Sequence, residues 1–142
     1  MTFENARLSM INNQLRTWDV HDEAVLAVMQ RLPRDHFAPA PYQQVAYADG
    51  PIPIGQGQLM LPPKWVGRAL QSLRLHSADT VLEIGTGTGY LTDCLAHLCF
   101  HVYSIEIDPN LHEKAKERLG KHSCPNVDLF CQDGSHGLEG HG

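Results

Sequence analysis

Apolar residues recur at helical spacing through the first third of the chain. Over 4–15, Ala6, Met10, Ile11 and Leu15 fall near one face with polar residues between them, which predicts a helix. Asp22 is placed to cap a second helix carrying Ala24, Val25, Val28, Met29 and Leu32 on one side, and Pro33 stops it. Pro39, Pro41, Pro51 and Pro53 then enclose a segment with little room for regular structure. Residues 49–60 read as extended chain and turn, because proline removes a backbone donor and glycine permits φ > 0. A third helix is predicted over 62–73, with prolines in its first turn and Val66, Ala69, Leu70 and Leu73 facing inward.

From Asp79 the pattern changes to short apolar runs alternating with helical spacing. Thr80-Val81-Leu82-Glu83-Ile84 reads as a strand ending at a glycine-rich turn, and 90–98 as a helix. His101-Val102-Tyr103-Ser104-Ile105 is a second strand, stopped by Glu106 and Asp108-Pro109, with Asp108 capping a helix through 111–119. Residues 126–131 offer a third strand. Strands separated by helices of this length form βαβ units, so the expectation is an α/β fold with a parallel sheet and right-handed crossovers. A doubly wound sheet has strands on both sides of its first strand, and here the third strand is the last. One edge of the first strand is therefore expected to lie uncovered, which invites self-association. The glycine-rich end, 134–142, reads as a frayed tail.

The length of 142 residues suits one core, and 42% hydrophobic with 19% charged residues is ordinary globular composition. The formal charge of −5 comes without a basic stripe, which argues against a nucleic-acid surface. The N-terminus lacks the layout of a signal peptide and no stretch is apolar enough to span a bilayer, so a cytoplasmic chain with no membrane partner is expected. Cys94, Cys99, Cys124 and Cys131 are then reduced thiols; none forms a C-x-x-C pair, and no metal site is expected from them. Cys94 and Cys99 suit a helix packing face. His97 and His101 read as surface residues, His136 and His141 lie in the tail, and Trp18 and Trp65 read as core or cap residues.

The chemistry concentrates at Glu83-Ile84-Gly85-Thr86-Gly87-Thr88-Gly89. A strand feeding a glycine-rich turn into a helix brings backbone N–H groups to a ligand at the carboxyl end of a sheet. Gly85 and Gly87 let the backbone approach, and Gly89 lets the helix pack tightly on the strand. Glu106, at the end of the next strand, is placed to accept both hydroxyls of a ribose. Asp133-Gly134, just past the third strand, falls where an adenine ring would lie. The alternative is a tight turn with no ligand and solvated acids at strand ends. Glu83 before a G-x-G-x-G loop suits a cationic or zwitterionic ligand better than a pyrophosphate. S-adenosylmethionine (AdoMet), with its ammonium and sulfonium, is favoured over NAD.

These motifs resemble the protein-L-isoaspartate O-methyltransferase family. The resemblance runs through Asn13-Gln14-Leu15-Arg16, Leu32-Pro33-Arg34-Asp35-His36-Phe37-Ala38-Pro39, Tyr47-Ala48-Asp49-Gly50-Pro51-Ile52-Pro53-Ile54-Gly55, the glycine loop and Val102-Tyr103-Ser104-Ile105-Glu106. It implies a Rossmann-like AdoMet-dependent methyltransferase fold in two parts. Residues 1–78 would form a helical, proline-rich cap and substrate side; 79–142 would form the first βαβαβ half of the cofactor domain, without its C-terminal half. It implies methyl esterification of isoaspartyl carboxylates in damaged proteins as the activity. Glu83, Gly85, Thr86, Gly87, Gly89, Glu106, Asp133 and Gly134 would serve AdoMet, and Ile54, Leu59, Met60 and Leu61 the substrate side.

Two departures matter. Family members usually carry Thr-Ile-Ser where this chain has Leu59-Met60-Leu61, so Leu61 replaces a serine hydroxyl at the substrate site. A divergent bacterial branch resembles this chain here, and Lys64 is a speculative source of compensating charge against a solvated helix lysine. Family members also run on through further strands, so a truncated form is expected. The resemblance therefore leaves open a methyltransferase for another carboxylate or small molecule, and a non-catalytic relic or interaction module.

Overall fold

Thr2 caps the first helix with its hydroxyl, which accepts from the Asn5 N–H at 3.1 Å, and the chain coils from there as α1 (Phe3–Met10). The computed structural model describes residues 2–122 and 124–135. The coil expected to run on to residue 15 widens into a π-helical turn, Ile11–Leu15, and tightens into a 3-10 turn, Arg16–Trp18, before Asp19 turns it at φ +60°. That change of pitch buries Met10, Ile11 and Leu15 together and lets the Gln14 amide donate to the Tyr47 carbonyl at 2.7 Å. Asp22 caps α2 (Glu23–Arg31), accepting from Ala24 and Val25 N–H at 2.9 and 3.1 Å. Its inner face is Val25, Leu26, Val28 and Met29; Ala24, expected inside, faces out, and Leu26 takes the buried place.

The proline-rich segment is more ordered than the sequence suggests. After 3-10 turns at Arg34–Phe37 and Ala40–Val45, β1 (Ile52–Gly55) and β2 (Gln58–Met60) pair antiparallel. Gly55, Gln56 and Gly57, all at positive φ, make the turn. Alternation buries Ile52, Ile54 and Met60 and exposes Leu59. In α3 (Pro63–Leu73) the buried face is Pro63, Val66, Gly67 and Leu70, while Ala69 and Leu73 point outward, against expectation. Gly67 sets that rotation: a Cβ there would lie 2.9 Å from the Leu15 side chain. Trp18 and Trp65, expected as core or cap residues, form an exposed tilted pair with ring centroids 5.6 Å apart.

Some of the residues carrying the family resemblance are joined to one another within this unit, Met1–Leu75. The fully buried Arg34 guanidinium donates to the Ala46 and Leu61 carbonyls, each at 2.6 Å. Tyr47 donates to Asp35 at 2.7 Å and accepts from Arg7 at 3.1 Å; burial and then the Asp35 carboxylate push its phenol up to about 12.

The second unit, His76–Gly142, contains the parallel sheet in the order β3 (Thr80–Ile84), β4 (His101–Glu106), β5 (Val127–Cys131). Helices α4 (Tyr90–Ala96) and α5 (Pro109–Lys121) make the crossovers, and Asp108 caps α5 by accepting from Leu111 N–H at 2.9 Å. Among the described residues β3 pairs only with β4, and its Leu82 and Ile84 side chains are 42% and 62% exposed. Cys94 is buried on α4 as expected, but Cys99 is buried beyond the helix end, its thiol directed to the His101 carbonyl at 3.5 Å. His97 caps α4, while His101 is partly buried and bonded to Asp128 at 2.9 Å rather than solvated. Asp93, unremarked in the sequence, is fully buried beside His97 and His122 at 3.3 and 3.4 Å. It also accepts from the Cys124 thiol, which burial pushes up to about 12. The tail reading, with His136 and His141, lies outside the described residues from 136 onward.

Arg34→Met removes two charged donors from buried carbonyls, so unfolding free energy in urea should fall by about 2–4 kcal/mol. An unchanged midpoint would show that those carbonyls find other partners.

Candidate cofactor site

Three glycines shape the loop between β3 and α4. Gly85, Gly87 and Gly89 sit at φ +98°, +58° and +93°, a region other residues rarely adopt. The loop is fastened to the end of β4, because Gly85 and Thr86 N–H both donate to the Ile105 carbonyl, at 2.7 and 3.3 Å. A Cβ on Gly85 would meet nothing within 4 Å, so that side of the loop is open. Gly89 is a packing glycine, but its close neighbour is a helix and not the strand. A Cβ there would come within 3.3 Å of Leu119 and 3.4 Å of Ala115 on α5. Arg118 of α5 donates to the Thr88 carbonyl at 3.4 Å.

The two acids have different surroundings. Glu106 ends β4 with its carboxylate under the loop, accepting from Gly87 N–H at 2.9 Å and from Asp108 N–H at 3.0 Å. A carboxylate offers about four acceptor positions, so Glu106 retains capacity for further donors. Glu83 turns into the core. It lies opposite Ser104 in the β3–β4 register, and one of its oxygens accepts from both the Ser104 hydroxyl, at 2.6 Å, and the Thr92 hydroxyl. Burial raises its pKa to about 7, against the lowering effect of those hydroxyls, and nearby Glu106 adds to the rise. The sequence placed Glu83 facing a cationic ligand; in the structure two hydroxyls take one of its oxygens, and the other, Oε2, is buried with no hydrogen-bond partner. Asp133 is exposed and accepts from Ser135 N–H at 2.9 Å. Gly134 is buried, and a Cβ there would lie 2.9 Å from Ile84.

Sequence reasoning passed over Ser104, Thr92 and Arg118. Ser104 carried a signal, as a polar residue on the inward side of an otherwise apolar strand. On the substrate-side candidates, Ile54 and Met60 are buried within their own unit, whereas Leu59 and Leu61 are exposed, Leu61 by 51%. The Leu61 carbonyl is held by Arg34. Lys64 is neither free nor simply solvated: its ammonium lies 3.3 Å from Asp49 and 4.2 Å from the Trp18 ring centroid. Among the described residues no group of three His, Cys, Asp or Glu is placed to hold a metal ion, and no helix is long and apolar enough to cross a membrane.

The family described as Protein-L-isoaspartate(D-aspartate) O-methyltransferase (PCMT) matches residues 5–141. The chain belongs to this family. Among its relatives is Protein-L-isoaspartate O-methyltransferase 2 of Anaeromyxobacter sp. (strain Fw109-5), 40% identical over 94% of this chain and 55% of the relative. The protein-L-isoaspartate O-methyltransferase of Methanoculleus marisnigri is 39% identical over 92% of this chain and 60% of its own length. The chain thus spans a little over half the length of these curated relatives. Among solved structures, a protein-L-isoaspartate O-methyltransferase matches 96% of this chain and 44% of its own, with TM-score 0.78 and 22% identity. A putative family member from Plasmodium falciparum, in complex with S-adenosyl-L-homocysteine, matches 91% of this chain and 63% of its own, with TM-score 0.76 and 20% identity. These likenesses establish the Rossmann-like methyltransferase fold expected from the sequence.

The Glu83 environment sets a pH dependence for this PCMT-family chain. Its folded pKa, near 7, lies above its ordinary value of 4.5, so the folded state binds the proton more tightly. Stability contributed by Glu83 is therefore present below about pH 4.5 and is lost as pH rises through 7, by roughly 3 kcal/mol at most. Glu83→Gln should match the parent in urea at about pH 4 and exceed it at about pH 8. Equal pH dependence in both proteins would assign the titration elsewhere.

Proposed function

We propose that this chain binds AdoMet at the glycine loop and serves methyl transfer to the free carboxylate of isoaspartyl residues in damaged proteins. The observation that carries it is the buried Glu106 carboxylate beneath a loop of left-handed glycines, with acceptor capacity to spare beside the open face of Gly85. Family membership supplies the reaction class, and the S-adenosyl-L-homocysteine named with the Plasmodium falciparum relative fits the same cofactor.

In this reading Glu106 accepts the ribose hydroxyls, and the backbone of Gly85, Thr86, Gly87 and Gly89 lies against the ligand. Asp133 and Gly134 flank the adenine. When bound, AdoMet supplies a methyl group already activated by a positive sulfur. An ionised substrate carboxylate is nucleophilic without a general base, so the protein has to orient it in line and exclude water. Residues 79–142 form the cofactor part and 1–78 the cap and substrate side, where Leu59 and Leu61 expose apolar side chains. Such an enzyme acts on isoaspartyl proteins in the cytoplasm.

A second reading, methyl transfer to a different carboxylate or small molecule, is favoured by Leu61 itself. Its side chain cannot donate a hydrogen bond, its carbonyl is occupied by Arg34, and the nearby Lys64 ammonium is engaged by Asp49.

Calorimetry with the 142-residue chain tests the cofactor step. Saturable AdoMet binding is expected, weakened at least about tenfold in Glu106→Ala, since hydrogen bonds to a charged acceptor contribute about 1.5–3 kcal/mol. Folded protein that ignores AdoMet would overturn the proposal. Methyl transfer to an isoaspartyl peptide, but not to its aspartyl isomer, would separate the first reading from the second.

A further inference from the structure

Three hydroxyls and a carboxyl form a buried hydrogen-bonded chain beneath the loop, which Thr86 joins by its side chain and not by the backbone assigned to the ligand above. Ser104 and Thr92 are fully buried, and Thr86 and Glu83 nearly so. The Ser104 hydroxyl donates to the Glu83 carboxyl at 2.6 Å and lies 2.6 Å from the Thr86 hydroxyl. A hydroxyl has one hydrogen. With that of Ser104 committed to Glu83, Thr86 must be the donor in the second bond. Thr92 donates to the same Glu83 oxygen from α4. Thr86 is thus drawn down into the core by its side chain, and only its backbone is available at the loop surface.

We propose that Glu83 and Ser104 are positioning residues for the cofactor loop. The carboxyl fixes the direction of the Ser104 hydroxyl, which holds Thr86 down so that Gly85 presents open backbone to the ligand. Glu83 then supports AdoMet without touching it, in place of the direct charge contact that its position before the loop suggests. The other fastenings, Ile105 carbonyl to Gly85 and Thr86 and Glu106 to Gly87, hold the loop by its backbone. The hydroxyl chain is the part that acts through a loop side chain on the core side. This inference rests on the AdoMet reading of the site, and its test separates the two.

The test compares Glu83→Gln, Thr86→Val, Thr86→Ser, Ser104→Ala and the Thr86→Val/Ser104→Ala double variant of the 142-residue chain. AdoMet affinity is read by calorimetry, and amide hydrogen exchange at Gly85 and Thr86 is read without ligand. Thr86→Val, which loses one hydrogen bond, and Ser104→Ala, which loses two, should each weaken AdoMet on the order of tenfold. The double variant should be no weaker than either single one, because both break the same chain. Thr86→Ser, which keeps the hydroxyl, should bind as the parent does. Loss of affinity in Glu83→Gln while Thr86→Val and Ser104→Ala bind normally would overturn the proposal in favour of direct contact. If the parent chain binds no AdoMet, the cofactor reading fails and exchange decides the positioning. Faster exchange in Thr86→Val and Ser104→Ala, but not in Thr86→Ser, supports it, and unchanged exchange overturns it.

Discussion

Burying a charged side chain is costly unless its hydrogen-bonding capacity is used, and each unit of this chain is organised by such groups. In the first unit the guanidinium of Arg34 draws the Ala46 and Leu61 carbonyls together across a stretch rich in proline. Proline-rich chain has few backbone donors to spare, so a buried side chain with many donors takes over the role that helix or sheet bonds play elsewhere. Tyr47, bonded to Asp35, Arg7 and Gln14, ties the same stretch to the first helix. In the second unit Glu106 does the reverse, presenting a carboxylate to the backbone N–H of Gly87 in the glycine loop and of Asp108 at the start of α5.

The loop owes its shape to opposed requirements. Its glycines adopt left-handed conformations that free the backbone to approach a ligand, and freedom of that kind has to be restrained for a site to keep its form. Restraint comes from Ile105 and Glu106 at the end of β4, from Arg118 on α5, and from the hydroxyls running through Ser104 to Glu83. The two acids that look alike in the sequence therefore divide their tasks. Glu106 keeps acceptor capacity at the surface of the site, and Glu83 works inside it.

Much of this was legible in the sequence. Strand, glycine turn, helix, strand and acid follow one another in an order that few folds allow, and right-handed crossover geometry then dictates the parallel sheet. The caps at Asp22 and Asp108 were equally plain, because a short acidic side chain before an apolar stripe has a local reason to start a helix. What misled was periodicity near close helix contacts. The face of α3 follows Gly67, whose missing side chain admits Leu15, so Ala69 and Leu73 turn outward although both are apolar. Trp18 and Trp65 were misplaced because large rings cover one another at the surface as readily as they enter a core.

The sequence by itself determined the fold class and the location of the loop, since these depend on local spacing and backbone preference, and it pointed to the family through the motifs it resembles. Only the tertiary structure decided what each polar side chain does. Whether Glu83 meets a ligand or a serine depends on the strand register that sets it opposite Ser104. Whether Lys64 is available depends on an aspartate and a tryptophan brought beside it by the fold. Spacing along the chain says which residues can share an element. The partner that satisfies a buried charge comes from another element, and only packing chooses it.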